Sequence, residues 1–285
     1  MALPRLLVAA GALLIAATGG VSHSADTSPY GRGVFASFCE WSHSAHDDPI
    51  VHPGHAGAAH RHDFFGNTTT DAHSTARSLR RGPGNCSIRA DRAAYWTPSL
   101  YKRARVVRPT RATAWYLKGG AGRGIRAFPR GLRMIAGDAQ ATRSQPPAIV
   151  NWSCAHESPA AGAAARTEGG RIPRCAYRGV RLRVRFPSCW DGRRRDSRDH
   201  KRHMAYRAWN RETASMRCPR THPVAVPALI LDIEYPIRDG DDVTLSSGHV
   251  RTVHADFFNG WRQRKLERLT RRCLARARPC GRSDI

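Results

Sequence analysis

Eight cysteines constrain this chain more than any other feature: Cys39, Cys86, Cys154, Cys175, Cys189, Cys218, Cys273 and Cys280. An even number in a chain that leaves the cytoplasm reads as a disulfide framework. Closing neighbours in order gives Cys39–Cys86, Cys154–Cys175, Cys189–Cys218 and Cys273–Cys280, although connectivity cannot be deduced from sequence alone. Each loop closed in this way adds roughly 2–4 kcal/mol. The rival reading, a cysteine-ligated zinc, is weakened because no C-x-x-C pair occurs.

The first residues carry an export signal that agrees with this framework. Arg5 supplies the positive end, residues 6–18 are apolar but too short to span a bilayer comfortably, and Ser22 and Ser24 suit a cleavage site. Cleavage after Ser24 is expected, with an uncleaved anchor as the alternative. No later stretch is both apolar and long enough to cross a membrane, so a secreted protein is expected. Residues 25–34 read as a flexible lead-in and residues 35–285 as one globular unit. A hydrophobic fraction of 41% supplies enough core to exclude global disorder.

Alternation argues for a mainly β fold. Residues 35–42, 105–107, 112–117, 133–139, 181–187, 228–235 and 243–245 read as strands separated by Gly- and Pro-rich turns. In Arg181-Leu182-Arg183-Val184-Arg185-Phe186 the apolar side chains face the core and the arginines face solvent. Asp232 and Glu234 read as ordinary polarity on the outer face of a strand. Residues 157–170, rich in Ala and Gly, read as a surface loop pinned by the Cys154–Cys175 bridge. Asp71 is a candidate cap for a short helix. A C-terminal helix follows Trp261, with Leu266, Leu269 and Cys273 on its inner face and Asn259 as its cap. The expected architecture is a single β-rich, sandwich-like domain with long loops, disulfides and that helix.

The formal net charge is +25, from 47 basic and 22 acidic residues, and the basic residues are overwhelmingly arginine. Such a surface attracts anionic partners, among them acidic wall polymers, lipid head groups and nucleic acid. Equally, scattered arginines can reflect a coding preference spread over a solvated surface.

Three stretches concentrate the groups that carry chemistry. The first is His60-Arg61-His62-Asp63-Phe64-Phe65-Gly66-Asn67, the second Asp199-His200-Lys201-Arg202-His203, and the third His254-Ala255-Asp256-Phe257-Phe258-Asn259-Gly260-Trp261. An extended His60-Arg61-His62 points both imidazoles to one face. His60 or His62 is therefore expected near His203 and near His254 or Asp256. Imidazole and carboxylate suit a borderline divalent ion such as zinc or copper. The candidate ligands are His60, His62, His200, His203, His254 and Asp256, although no H-E-x-x-H motif appears. The alternative is a polar core in which these groups bond one another. Metal-free catalysis would use carboxyl pairs drawn from Asp63, Asp138, Asp191, Asp199 and Asp256, with histidines carrying protons. Catalytic roles are assigned to His62, Asp63, Asp199, His203, His254 and Asp256. Trp96, Trp190, Phe257 and Trp261 are either sugar platforms or core.

At these residues a family resemblance emerges. The ordered set of Asp47-Asp48-Pro49-Ile50-Val51, the first His-rich stretch, Gly131-Leu132-Arg133-Met134-Ile135-Ala136-Gly137-Asp138, Cys189-Trp190-Asp191-Gly192, Asp199-His200 with His203-Met204-Ala205-Tyr206, and the last stretch resembles the domain-of-unknown-function family numbered nineteen ninety-six. The resemblance covers residues 35–280. It implies an exported protein of the kind found in fungi and bacteria, where some fungal members carry carbohydrate-directed WSC modules, and it implies no established activity. The leading expectation is a hydrolase or lyase acting on cell-wall or extracellular polysaccharide. A non-catalytic domain binding wall or polyanion is the alternative, and a metal-dependent nuclease is the third reading.

Overall fold

Period-two alternation places two five-stranded antiparallel sheets against each other. The structure, a computed structural model, describes residues 30–120, 124–155, 171–278 and 280. The export signal and the loop at residues 157–170 lie outside the described residues. The first sheet runs, in spatial order, Val34–Cys39, Arg111–Leu117, Ala228–Tyr235, Val180–Arg185 and Val150–Cys154. The second runs Trp41–Ala45, His62–Gly66, Ala94–Pro98, His254–Phe258 and Arg133–Gly137. The chain changes sheet at Glu40, between the two strands expected as one over residues 35–42. The Cys39–Cys86 bridge ties down that crossover. All four disulfides join neighbours in sequence order.

One continuous core fills the space between the sheets. The first sheet contributes Phe35, Tyr116, Leu182, Val184, Leu229, Leu231 and Ile233; the second contributes Phe65, Tyr95, Met134, Ala255 and Phe257. Phe257 packs against Phe128 and Phe186, with ring centroids 5.3 and 6.3 Å away. Each large side chain buried this way stabilises the fold by roughly 1.5–3 kcal/mol. The opposite face of the second sheet carries a smaller core of Ile50, Phe64, Leu79, Ala94, Trp96 and Phe258. It lies under the helix Ala76–Arg81 and the turns at residues 46–59. The second sheet is therefore buried on both faces, and its side chains on the smaller-core face bear the site described below.

Several local expectations are corrected. Thr75, not Asp71, caps the Ala76–Arg81 helix, accepting from Ser78 N at 3.1 Å. Asn259 accepts from Trp261 N at 3.1 Å and donates to Pro129 O at 2.8 Å. It orders the loop ahead of the Gln263–Leu269 helix, whose N-cap is Arg262. Tyr30, assigned to a flexible lead-in, packs edge-on against Trp115 at 5.2 Å. The arginine row does not simply face water. Arg181 is buried, and Arg183 donates to both oxygens of Asp232 at 2.7 and 2.8 Å. Asp232 also accepts from Trp115 Nε1 at 3.0 Å. The reason lies in register: Arg183 stands opposite Asp232 on the neighbouring strand, so the two charges meet before either reaches solvent.

This pair sets a stability prediction. Asp232→Ala strands the Arg183 guanidinium beneath the surface and is expected to destabilise the protein by roughly 3–5 kcal/mol. Replacing both partners together, Arg183→Met with Asp232→Leu, is expected to cost far less. Chemical denaturation of the two variants measures the difference.

Candidate functional site

Strand alternation and sheet register bring the first and third His-rich stretches together. His62 and Phe64 share one face of their strand, and His254, Asp256 and Phe258 share the same face of theirs. Register sets Phe64 and Asp256 opposite Trp96 on its two sides, one step along from His62 opposite Pro98. His60 continues the extended run, and its ring lies 4.3 Å from that of His62 and 5.0 Å from that of His254, centroid to centroid. The turns at residues 47–51 roof this face. Asp48 Oδ1 accepts from Ile50 N and Val51 N at 2.8 and 2.9 Å, which holds its carboxylate over the sheet.

Five potential ligands result. One potential ligand atom from each of His60, His62 and His254 lies within 4.8 Å of the other two, and the same holds for Asp48, His62 and Asp256. His62 belongs to both groups. All but His60 are buried, and His60 is half-buried, so solvent reaches the cluster from its side.

Hydrogen bonding fixes which nitrogens face inward. His62 Nδ1 lies 3.0 Å from Asp47 O, and His254 Nδ1 lies 3.0 Å from Thr252 O. A carbonyl only accepts, so each Nδ1 carries the proton and each Nε2 presents a lone pair. Backbone carbonyls orient metal-binding histidines in this way. His60 Nε2 and His254 Nε2 are 3.2 Å apart. Two nitrogens bound tetrahedrally to one zinc at ~2.0–2.1 Å stand about 3.3 Å apart. His62 Nε2 and both carboxylate oxygens of Asp256 are buried without a hydrogen-bond partner. Such atoms occur singly elsewhere in the interior, at Trp152 Nε1 and Tyr235 Oη for example, but here three fall in one cluster of imidazole and carboxylate, a donor set that fits a divalent cation.

Electrostatics point the same way. Burial, reinforced by the neighbouring imidazoles His254 and His60, holds His62 well below the usual histidine range. Burial lowers His254 to about 3. His60 is lowered by burial and by His46 and His52. All three are thus neutral near pH 7, the state that coordinates metal. Burial, with Asp48 beside it, drives Asp256 well above the usual carboxylate range. Burial also raises Asp48, against the backbone N–H groups of Val51 and Ile50.

Other expected residues lie elsewhere. Asp63 alternates to the opposite face of its strand, where it accepts from Ser44 Oγ at 2.5 Å and Trp41 Nε1 at 3.4 Å. His203 Nε2 donates to Arg133 O at 2.7 Å, while its Nδ1 meets Ser197 Oγ at 3.0 Å. Arg133 is at the far end of the strand whose Gly137 pairs with His254, so His203 is four residues along that strand from the site. His200 pairs with Asp196 at 2.9 Å. Asp199 closes a turn, its carboxyl held low by Arg202 N and then by Ser197 Oγ. The expected convergence of three stretches is therefore corrected. The middle stretch contributes Lys201, whose Nζ donates to Gly137 O at 3.0 Å and whose charge acts on both His254 and Asp256. Asp138 caps its own turn through Gln140 N at 2.9 Å, and Asp191 pairs with Arg194 at 2.7 Å. Trp96, Phe257 and Trp261 are core, and Trp190 is half-buried. Sequence reasoning missed Asp48 and Lys201, although both sit inside motifs it had singled out. It also passed over Trp209, the exposed tryptophan of the Ala208–Asn210 strand.

A groove of about 470 Å³ begins at Gly137 and Lys201. Asp138, Arg143, Gln145, Pro146, Ile149 and Tyr206 also line it. Gly137, part of that lining, pairs with His254 on the neighbouring strand.

The two kinds of shift oppose each other in metal-free protein. His254 binds a proton in the unfolded chain at pH below 6.5 but in the folded chain only near 3, so stability falls as pH drops through that window. Asp256 keeps its proton in the fold above pH 3.8, so its contribution falls as pH rises from 3.8. Chelated protein is thus expected to gain more stability from added zinc at pH 7.5 than at pH 5.5, read as the shift in unfolding midpoint. Asp256→Asn is expected to raise the unfolding midpoint of chelated protein at pH 7.5 and to abolish most of the zinc response.

Compared with known protein families, residues 48–261 match the family described as domain of unknown function (DUF1996). No curated protein and no solved structure matches the chain. With three quarters of its length inside that match, and with the residues of the candidate site among those matched, the chain belongs to the DUF1996 family.

Proposed function

We propose that the protein is a secreted, metal-dependent hydrolase or lyase acting on cell-wall or extracellular polysaccharide. One observation carries the reading: the Nε2 lone pairs of His62 and His254 and the partnerless carboxylate of Asp256 gather in one buried cluster with His60 and Asp48. That donor set suits zinc or copper. A bound divalent ion supplies a Lewis acid and lowers the pKa of a coordinated water toward about 7. The chain's own residues do the rest. His60, His62 and His254 are the ligands, and Asp256 balances the ion's charge. Asp48, pinned over the cluster by two backbone N–H groups, is the proton acceptor. His60 lies where solvent and substrate approach.

The substrate class follows from the surroundings. Four disulfides suit an oxidising exterior. Among the described residues no helix is long and apolar enough to cross a membrane. The adjoining groove mixes Pro146, Ile149 and Tyr206 with Lys201, Arg143 and Gln145, a lining suited to sugar rings bearing hydroxyl or acidic groups. Lys201, shared between groove and cluster, orients an anionic or polarised oxygen of the substrate.

A second reading draws on the burial of His62, His254 and Asp256. A closed set of ligands is characteristic of a structural ion, and the protein would then be a non-catalytic wall-binding domain.

Elemental analysis is expected to return close to one zinc or copper per chain, lost on chelation. His62→Ala and His254→Ala should each lower metal affinity by more than about tenfold. A screen of cell-wall glycans should detect turnover that chelation abolishes and metal restores. Lys201→Ala should raise KM more than it lowers kcat. Full metal content without turnover, together with saturable, salt-sensitive glycan binding, selects the structural reading. No stoichiometric metal overturns both.

A further inference from the structure

The arginines are not spread evenly over the surface. Some are paired with acids, as Arg183 is with Asp232, Arg111 with Glu234, Arg133 with Asp196, Arg174 with Asp241, and Arg194 with Asp191. Others are gathered around a cleft of about 520 Å³. Among the described residues its lining is Arg80, Arg130, Arg262, Gln263, Arg264, Lys265 and Arg268, with no acidic residue among them. None of the five arginines makes an ion pair among the described residues. The nearest carboxylate on the same helix, Glu267, accepts from Gln263 Nε2 at 3.1 Å.

These cations come from three separate segments that the fold holds together. Arg80 is in the last turn of the Ala76–Arg81 helix, Arg130 lies in the loop before the Arg133–Gly137 strand, and the others run from the N-cap Arg262 to Arg268 in the last turn of the Gln263–Leu269 helix. Gly131 N donates to Asn259 O at 3.2 Å, and Asn259 Nδ2 donates to Pro129 O at 2.8 Å, clamping the second segment to the third. Gly260 lies so close to Arg92 O and Leu79 that a Cβ would collide with both, which presses the third segment onto the first. Like charges packed this way repel. Arg80, half-buried, is lowered by burial and then by Arg130, Arg77, Arg81 and Arg195. A cluster of cations from three segments, held together by specific backbone contacts, presents a concentrated positive field to an anion.

We propose that this cleft binds an anion carrying two or more linked phosphate groups. Five guanidinium groups around 520 Å³ suit several negative charges in a small space. A phosphate monoester carries about −1.5 to −2 at pH 7, whereas a uronic acid carries one charge per sugar ring. The guanidinium fork also matches phosphate oxygens two at a time. The site is separate from the His/Asp cluster. The His254–Phe258 strand leads away from that cluster toward Arg262, so the two sites occupy opposite ends of the second sheet.

The test is calorimetric titration of the full chain with pyrophosphate and tripolyphosphate at low salt. One saturable site is expected, tighter for tripolyphosphate. The triple variant Arg130→Glu, Arg264→Glu, Arg268→Glu, all exposed positions, should weaken binding by at least about tenfold and lower its salt slope. If that variant fails to fold, Arg264→Glu alone should weaken binding about threefold. The charge-matched control Arg105→Glu, Arg211→Glu, Arg220→Glu, and His254→Ala, should both bind like the parent. Equal loss in the control would reduce the effect to overall charge and overturn the site. Loss in His254→Ala would move the anion to the His/Asp cluster and overturn it as well. Tri-galacturonate binding as tightly as tripolyphosphate would overturn the assignment to phosphate.

Discussion

The burial of the His254–Phe258 strand on both faces is the constraint on which the rest depends. Ala255 and Phe257 enter the core between the sheets, while Phe258 enters the smaller core under the Ala76–Arg81 helix. Alternation then leaves His254 and Asp256 no choice of direction: they must point into a space already closed by Trp96, Phe64 and the turns at residues 46–59. Polar groups reach this interior because apolar packing on both sides of the same strand puts them there, and a one-residue slip would expose Phe257 and Phe258 to the wrong faces.

That enforced burial sets the electrostatics. Desolvation favours the neutral forms, lowering the pKa of His62 and His254 and raising that of Asp256 and, against its backbone N–H partners, Asp48. In metal-free protein both shifts carry a free-energy cost at some pH. A divalent ion resolves them together, since neutral imidazole is what it binds and ionised carboxylate is what it favours. Arg183 and Asp232 illustrate the other solution to buried charge, a direct pair across neighbouring strands. Among the described residues, no arginine or lysine forms an ion pair with Asp48 or Asp256 at the His/Asp cluster. Lys201 acts from beyond the first ligands, held to Gly137 O.

Much of the fold was legible in local pattern. The strands Arg105–Val107, Ala228–Tyr235 and Val243–Leu245 begin and end where the sequence pattern places them. The disulfides join consecutive cysteines two by two in chain order, the full pairing with the smallest summed loop length. Leu266, Leu269 and Cys273 turn inward as helical spacing requires. Of the candidate site, the His60–His62 pair was legible because two extended residues share a face, and its meeting with His254 and Asp256 was anticipated from composition. Asp63 was misjudged by that same alternation, which sends it to the opposite face from its neighbour His62. His203 was misjudged because a loop residue's direction depends on backbone bonds, here to Arg133 O, that sequence does not reveal. Asp48 was hidden by its distance from the histidines along the chain, and only the folding of the 47–51 turns over the sheet brings it back.

Sequence by itself determined the class of structure, the cysteine framework and the residue types available for chemistry, because these follow from short-range periodicity and composition. Tertiary structure alone decided which of those residues share a space. Sheet order places His62–Gly66 and His254–Phe258 on either side of Ala94–Pro98, and it consigns Arg183 to a buried pair while crowding Arg80, Arg130 and Arg264 without acids. Such neighbours are nearly two hundred residues apart for His60 and His254. Their contact arises from the packing of whole sheets, which no local pattern encodes.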